Sequence, residues 1–558
     1  MIICSTDTGI YLKWREEQKP IEKKISFNKF QPYFYIKTTD ISSVPKSVYI
    51  RDRHGSLNAK LFYENVEKTS LEKELLTKVT WKPSRPEYSR KISKIFVNKN
   101  IDTYEADVAY HYRYAVDEIT KIESSPLRKW YWDMEWMQGG EHDEAITCIS
   151  VHDSFLNDTK LFYWFPKDSD IDMSNKYPNQ HSTEKEMLED YINFLLECNP
   201  DMLISWFGWK FDLPKLLARL VHNKIDARQL SPVFQVSGVS WKGSSPSINV
   251  KRTESSSPIS QPIKGRICFS LDLAFERQWN DAQKGTLPSM ALDYISETVL
   301  GDKKLVSEKF PDKNEFFKRA WLEDTETYLE YAIKDTDLLV RIDNENYTTE
   351  SVLALQRLLK APVDACFYAS NMGGIYFMRN ANWIVKTGNK NTERRNYDGA
   401  MVYNPLSENT NGLHIGVAAF DYKSLYPSMM VARNISWETK STEPTEFKIN
   451  IKTPKDFSEI SEHEIVYFKT DKLGLLPKAV LELQELRNSY KVKMKDALDK
   501  EEYNKWNSNQ MAVKRLMASF YGVLAYQGFS WADVDLAASI TASAREAIRE
   551  AAFIVRNL

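Results

Sequence analysis

Apolar and polar positions along the chain change period several times, and each change predicts an element. Early on, short apolar runs alternate with turn residues. Residues 10–14 (IYLKW), 32–37 (PYFYIK), 47–51 (SVYIR) and 94–98 (KIFVN) each read as a strand of a β-rich N-terminal domain. Residues 132–135 lie in an aromatic, strand-like stretch, and 145–151 read as the next strand. Residues 202–206 are a further apolar strand, behind which Asp212 opens a helix. Residues 184–197 set Met187, Leu188, Tyr191, Ile192 and Leu195 on one helical face. Residues 321–344 continue as a helix through Tyr328, Tyr331, Ala332 and Leu338. Residues 476–500 form a charged amphipathic helix with Pro477 in its first turn, where a missing N–H is tolerated. Residues 415–420 read as a strand ending at Asp421, and 533–558 are Ala-rich and helical. Ser, Pro and Gly gather in 234–268, predicting a hairpin or loop excursion, and turn residues gather in 396–416, a domain junction. No internal repeat is present. The pattern is α+β and multidomain.

Composition narrows this picture. A length of 558 residues fits about three to five domains of roughly 100–200 residues. Hydrophobic residues at 42% supply several cores, and charged residues at 27% match an ordinary soluble chain. No run approaches the roughly 18 apolar residues of a membrane span. The opening MIICSTDTGI has no basic and apolar signal pattern. The expected setting is cytoplasmic, with no membrane. Cys4, Cys148, Cys198, Cys268 and Cys366 are scattered and form no C-x-x-C pair, against a disulfide framework or zinc site. A net charge of −2 means that any phosphate-binding surface is local and offset by carboxylates elsewhere.

Three acidic sites carry the first candidate chemistry. Asp133 and Glu135 alternate along a strand and so share a face, where two carboxylates can hold divalent metal. Phe211-Asp212-Leu213-Pro214 follows a strand, and Tyr331 and Asp335 stand four apart on a helix face. The order D-x-E, F-D-L-P, Y-x3-D resembles the three exonuclease motifs of the DnaQ-like proofreading domain. That resemblance implies that Asp133, Glu135, Asp212 and Asp335 ligate two metal ions, Mg2+ or Mn2+, and that Tyr331 orients the attacking water. The family usually has Asn five residues before the second-motif Asp; here that position is Phe207.

Downstream, Asp421-x-x-Ser424-Leu425-Tyr426-Pro427-Ser428 resembles motif A of family B DNA polymerases. The resemblance implies that Asp421 holds catalytic metal. Leu425 and Tyr426 would meet the nucleotide, with Tyr426 under the sugar selecting against a 2′-hydroxyl. Lys514 to Gly522 resembles motif B, with Ala518 where the family has Asn. Lys514 would meet the triphosphate and Tyr521 the nascent base pair. Arg487, Lys491 and Lys495 recur every four residues as a basic stripe. In the family's fingers helix, Arg487 and Lys491 would bind triphosphate, Arg in bidentate fashion and Lys as a point charge, while Lys495 reads as a solvated position. Tyr397-Asp398-Gly399-Ala400 resembles the Y-x-G-[GA] element, implying that Tyr397 and Gly399 contact the template strand. Gln31-Pro-Tyr-Phe-Tyr35, Thr103 to Asp107 and Arg113-Tyr114 resemble the archaeal-type N-terminal domain, in which a template-uracil pocket is an open question.

The resemblance implies an N-terminal domain over 1–125, a 3′–5′ exonuclease domain of RNase H-like fold over 126–345 and a helical connection over 346–395. It further implies palm over 396–475, fingers over 476–523 and returning palm over 524–558. No Asp-Thr-Asp-Ser follows Tyr521, so motif C and the thumb are expected on a separate chain. Primer–template DNA and deoxynucleoside triphosphates are the expected partners, with a sliding clamp as a further candidate. The alternatives are a stand-alone 3′–5′ DNA exonuclease and a non-catalytic DNA-binding subunit.

Overall fold

A computed structural model describes the chain except for residues 53–54, 209–210, 243–244, 249–258, 283–284, 389–394, 402–412, 414, 419–420, 527 and 557–558. Two compact units emerge: Met1–Phe30 with His111–Phe367, and Gln31–Tyr110 with Tyr368–Leu558. The first 125 residues therefore contribute to both units.

The first unit is carried by a seven-stranded mixed sheet. Its order is Gln180–His181, Asp158–Trp164, Ile146–Asp153, Lys129–Trp136, Met202–Ser205, Ile267–Ser270, Ile259–Ser260. The central strand Lys129–Trp136 pairs antiparallel with Ile146–Asp153 and parallel with Met202–Ser205. Its two-residue period separates two tasks. Trp130, Trp132 and Met134 enter the core with Tyr191 and Phe194 of helix Glu184–Cys198. Trp130 stacks on Phe194 with centroids 5.1 Å apart. A buried ring of this kind removes roughly 150–250 Å² from water, contributing on the order of 4–6 kcal/mol. The alternate residue Tyr131 turns to the helix Thr325–Asn346, its hydroxyl donating to Asp343 at 2.6 Å. Asp133 and Glu135 follow the same direction toward Asp335. Helix Glu184–Cys198 starts where Thr183 accepts from the Glu186 N–H at 3.2 Å. At the N-terminal side of Met202–Ser205, Asp201 is ion-paired with Lys13 at 2.9 Å and with Arg15, all three buried. This joins the antiparallel sheet Ile2–Thr6, Gly9–Glu16, Lys19–Ser26 to the strand that leads to Asp212.

The second unit contains an antiparallel five-stranded sheet. Its order is Ser47–Asp52, Gly55–Thr69, Leu75–Lys82, Tyr33–Lys37, Thr103–Tyr104, and one face is closed by helix Tyr88–Val97. Its later residues are mostly helical: Ala369–Asn380, Leu425–Ala432, Leu475–Lys495, Lys500–Leu524 and Val534–Arg556. Leu475–Lys495 and Lys500–Leu524 form a long hairpin, with Tyr490 stacked on Trp506 at 5.7 Å. Phe377, Trp437, Phe520 and Trp531 make its aromatic core.

Several expected elements differ. Residues 94–97 are helix rather than strand and Asn98 caps it, because Tyr88, Ile92 and Phe96 recur every four residues and are buried together. The run 321–344 divides at Asp324 into Lys313–Glu323 and Thr325–Asn346. The Asp324 carboxylate accepts from Ser307 at 2.5 Å and Thr327 at 2.9 Å, a local competition that interrupts a helix. The predicted helix 476–500 ends at Lys495, and Asp499 caps the next by accepting from the Glu502 N–H at 2.7 Å. Residues 415–418 are not in a strand, and residues 419–420 of that prediction lie outside the described residues. Within 234–268, Val239–Lys242 and Ser245–Ile248 pair as the expected hairpin. Much of the junction at 396–416 lies outside the described residues.

Candidate functional site

The first unit assembles a buried acidic centre. Oxygen atoms of Asp133, Glu135 and Asp335 lie within 4.8 Å of one another. Asp212, the first residue of helix Asp212–His222, is buried and feels the charges of Asp133 and Asp335. Burial raises all four carboxyls. For Asp133, Glu135 and Asp212 neighbouring carboxylates add to it; for Asp335 Lys304 opposes it. Asp133 is pushed up to about 7, and Glu135 and Asp212 well above the usual carboxylate range. Among the described residues, Asp212 Oδ2 and Asp335 Oδ1 are buried with no hydrogen-bond partner. Orphaned buried acceptors are costly. Hard oxygen donors of this number and proximity fit Mg2+ or Mn2+.

Two local features deliver Asp212. Gly208 permits a close turn: a Cβ there would stand 1.7 Å from Ser205 Oγ and 3.5 Å from Asp212 Oδ2. Phe207 sits in the left-handed region at φ +56°. Its N–H donates to the buried Asp272 carboxylate at 3.1 Å, and Ser270 donates to the same oxygen. Left-handed backbone favours Asn, so a bulky ring at this position carries strain.

Lys304 is a site residue that sequence reasoning missed. Its ammonium donates to Asp335 and, at 2.9 Å, to the Tyr331 hydroxyl. Burial works to lower it, but Asp335, Tyr331 and Asp133 outweigh burial and hold it well above its ordinary range. Asp302, two residues earlier, anchors this loop through Lys334 at 2.6 Å and Arg341 at 2.5 Å, both on the helix that carries Asp335. No periodicity marks Lys304; only the closing of that loop brings it in. Tyr331 is buried against Phe316 and Phe317, so it is packed and polar at once.

In the second unit, residues from three of the sequence motifs meet. Tyr426 and Tyr521 rings lie 4.4 Å apart, and the Tyr521 and Tyr397 hydroxyls are 3.3 Å apart. Ser424, at φ +57°, precedes helix Leu425–Ala432, where Leu425 and Tyr426 are half-buried. Ala518 and Gly522, one turn apart, are exposed, while Lys514 and Tyr521 are half-buried beside them. A Cβ at Gly522 or Gly399 would meet nothing within 4 Å, so open space lies before both. Arg487 crosses the helical hairpin to Gln510 at 3.1 Å. The Lys491 ammonium is lowered, first by Arg487, then by burial, then by Lys423, Lys514 and Lys495. Like charges from three elements thus converge, an arrangement that an anion would relieve. Asp421 is exposed, and among the described residues it joins no cluster of three acidic or other metal-ligand groups.

Arg545 was also missed. Fully buried in Val534–Arg556, it donates to four backbone carbonyls: Asp398 and Gly399 at 2.7 and 2.6 Å, Thr453 at 2.7 Å and Ile451 at 3.1 Å. Thr541 donates to Asp398 as well, at 2.7 Å. Tyr397-Asp398-Gly399 is therefore pinned from one helix. The signal was an Arg that follows directly on the buried small residues Ala542, Ser543 and Ala544.

Comparison with known proteins agrees with this geometry. The family model "DNA polymerase family B, exonuclease domain" matches residues 133–273, and "DNA polymerase family B" matches 375–558. The first takes in Asp133, Glu135 and Asp212 and stops before Tyr331; the second takes in Tyr397, Asp421 and every later candidate. DNA polymerase 1 of Pyrococcus abyssi is 26% identical over 570 residues, covering 96% of this chain and 66% of that protein. The DNA polymerase of Desulfurococcus sp. (strain Tok) is 28% identical, covering 94% and 64%. The chain thus spans about two thirds of the length of the curated relatives it matches. The family B DNA polymerase structure from Pyrobaculum calidifontis shares the fold with a TM-score of 0.69 at 18% identity, over all of this chain and 71% of that one. No helix among the described residues is long and apolar enough to cross a membrane.

Proposed function

Given that this chain belongs to the family B DNA polymerases and carries their exonuclease domain, we propose that it removes nucleotides from DNA 3′ ends and binds the incoming nucleotide for template-directed synthesis. The second activity further needs motif C and a thumb. The observation that carries the reading is the buried group of Asp133, Glu135 and Asp335, with Asp212 beside it and two carboxylate oxygens unpartnered.

In the exonuclease reaction, Asp133, Glu135, Asp212 and Asp335 would hold the divalent ions. Bound Mg2+ or Mn2+ would supply Lewis acidity to the attacking water and the leaving 3′ oxygen. Tyr331, its hydroxyl accepting from Lys304, orients that water. Lys304 offers a positive charge beside the scissile phosphate and keeps Asp335 aimed. Burial of these residues strengthens each of these interactions.

For synthesis, Arg487, Lys491 and Lys514 form the triphosphate cradle, and Tyr426 and Tyr521 form the floor beneath the sugar and base. Tyr397 and Gly399 present the template side, Gly399 through the space its missing side chain leaves. Asp421 would hold its share of catalytic metal together with a second carboxylate. Leu413, Ile415 and Val417 alternate along the chain and are 92%, 91% and 74% exposed, apolar side chains open to a docking segment.

The test is an assay of this chain on 3′-labelled single strands and on primed template, alone and with a chain bearing motif C and a thumb. Degradation by this chain alone, with extension only after the addition, is expected. Extension by the pure chain alone overturns that need. A second reading, a stand-alone exonuclease, is favoured by one observation: the buried carboxylates are complete within one unit, whereas Asp421 is exposed and lies in no such cluster. Degradation without extension after every such addition selects it.

A further inference from the structure

The helical hairpin of the second unit holds a half-buried cation with a neutral partner. Arg487, on helix Leu475–Lys495, donates through Nε to the Gln510 side-chain oxygen on helix Lys500–Leu524 at 3.1 Å. Gln510 is buried, and its amide nitrogen donates to Asn507 Oδ1 at 2.9 Å. An amide accepts at one end only, so this second bond turns the oxygen toward Arg487. Tyr490 stacked on Trp506, about one turn away on each helix, holds the register in which Arg487 meets Gln510. A half-buried guanidinium ordinarily finds a carboxylate, whose charge-assisted bond is roughly twice as strong as one to a neutral group. A contact whose task was only to join two helices would gain from that carboxylate. Among the described residues no acid pairs with Arg487, and burial pushes its guanidinium down with nothing opposing. Its two terminal nitrogens have no hydrogen-bond partner among the described residues. Lys491, one turn further, is crowded by Arg487, Lys423 and Lys514 and likewise joins no ion pair among the described residues.

We propose that Gln510 is a positioning residue for nucleotide binding: it fixes the Arg487 guanidinium through Nε without neutralising it, and leaves both terminal nitrogens as a fork for the phosphates of a nucleoside triphosphate. The inference rests on the triphosphate cradle proposed above and adds what orients it. Arg grips phosphate best as a planar, two-pronged donor, and a long side chain has to lose its rotamer freedom before it can do so. A tether at Nε removes that freedom in advance, which lowers the cost of binding. The tether also has to be uncharged. A carboxylate in its place would compete with phosphate for the fork and cancel one of the charges that draw the ligand in. Gln meets both conditions, since its oxygen accepts a bond and it carries no charge. Gln510 and Lys514 stand four apart on one helix, and Arg487 and Lys491 four apart on the other, so each end of the tether shares a helix face with a lysine of the cradle.

The experiment measures binding of a fluorescent deoxyadenosine triphosphate with Mg2+ to the full chain, by anisotropy, beside thermal midpoints. Gln510→Glu, Gln510→Leu, Arg487→Met and the pair R487M/Q510E are compared with the unvaried chain. Q510E is expected to weaken binding about tenfold, the scale of one charge-assisted contact, while its midpoint stays level or rises. Affinity and stability then move in opposite senses, which a purely structural contact cannot produce. Q510L, which frees Arg487 without adding charge, is expected to weaken binding about threefold, the cost of immobilising one long side chain. In the pair, R487M should leave Q510E with no further effect, since that effect passes through the guanidinium. Unchanged affinity in both Gln510 variants overturns the proposal. So does a loss from Q510E that is undiminished when Arg487 is replaced, or a loss in both variants that only follows a fall in their midpoints. Absence of binding by the unvaried chain overturns the triphosphate cradle itself, a distinct result.

Discussion

The acidic centre of the first unit and the tyrosine–lysine surface of the second solve opposite electrostatic problems. In the first, four carboxyls, three buried and Asp133 half-buried, are gathered and pushed toward their protonated forms, with Lys304 as the cation built among them. In the second, Arg487, Lys491, Lys423 and Lys514 crowd one another, Asp421 stands exposed, and open space lies before two glycines. One site is closed and short of cation; the other is open and short of anion. Packing can pre-assemble a metal site because the ion is small. A surface for a triphosphate and a duplex has to stay uncovered until they arrive.

The sharpest way to break this contrast is Asp133→Ala. Degradation of 3′-labelled single strands should fall to background, while nucleotide binding at the second unit, followed by fluorescence of a labelled deoxynucleotide, should be unaltered. Loss of both would mean that the two sites are not separate. Lys304→Ala comes next, with an expected loss of about 100- to 1,000-fold in degradation rate, the scale of removing one preorganised electrostatic group. A Lys304→Arg variant should recover part of it.

Arg545→Met tests the other side. It leaves the Gly399, Ile451 and Thr453 carbonyls without the Arg545 donor and Asp398 with Thr541 alone, and should destabilise the protein by about 3 kcal/mol in denaturant unfolding. Template binding should weaken in proportion to the freed Tyr397–Gly399 segment. A neutral variant would remove Arg545 from the account.

The acidic centre also predicts a pH dependence of the opposite sense to most carboxylates. A carboxyl whose folded-state pKa is raised contributes stability that is full below its ordinary range and lost as pH rises through the folded value. For Asp133 that value is about 7. In EDTA the thermal midpoint should therefore fall between pH 5.5 and 8, and Mg2+ should restore it at the upper end. A midpoint that rises over that range, or ignores Mg2+, contradicts the centre. The smallest effect belongs to Phe207→Asn, which relieves a left-handed ring-bearing residue and should stabilise by about 0.5–1 kcal/mol.

Much of this was legible beforehand where the signal is local. The alternation of Trp130, Trp132 and Met134 with Asp133 and Glu135 assigns one face to the core and one to chemistry, and the strand does so. The four-residue spacing of Tyr331 and Asp335 held because a helix enforces it. Residues 94–98 misled because five residues are too few to distinguish a strand from the end of a helix whose period began at Tyr88. Asp324 and Asp499 misled because a single side chain can end or cap a helix inside an unbroken apolar pattern.

Sequence by itself determined the residue types and their order: which carboxylates share a face, which motif follows which, and the resemblance these carry. That information is covalent and periodic, so it survives without a fold. The tertiary structure alone decided that Lys304, thirty-one residues before Asp335, donates to it. It alone decided that Asp272 steadies Phe207, and that Arg545 grips carbonyls from two segments. Those partners are distant along the chain and follow no period, and burial is what makes their charges matter.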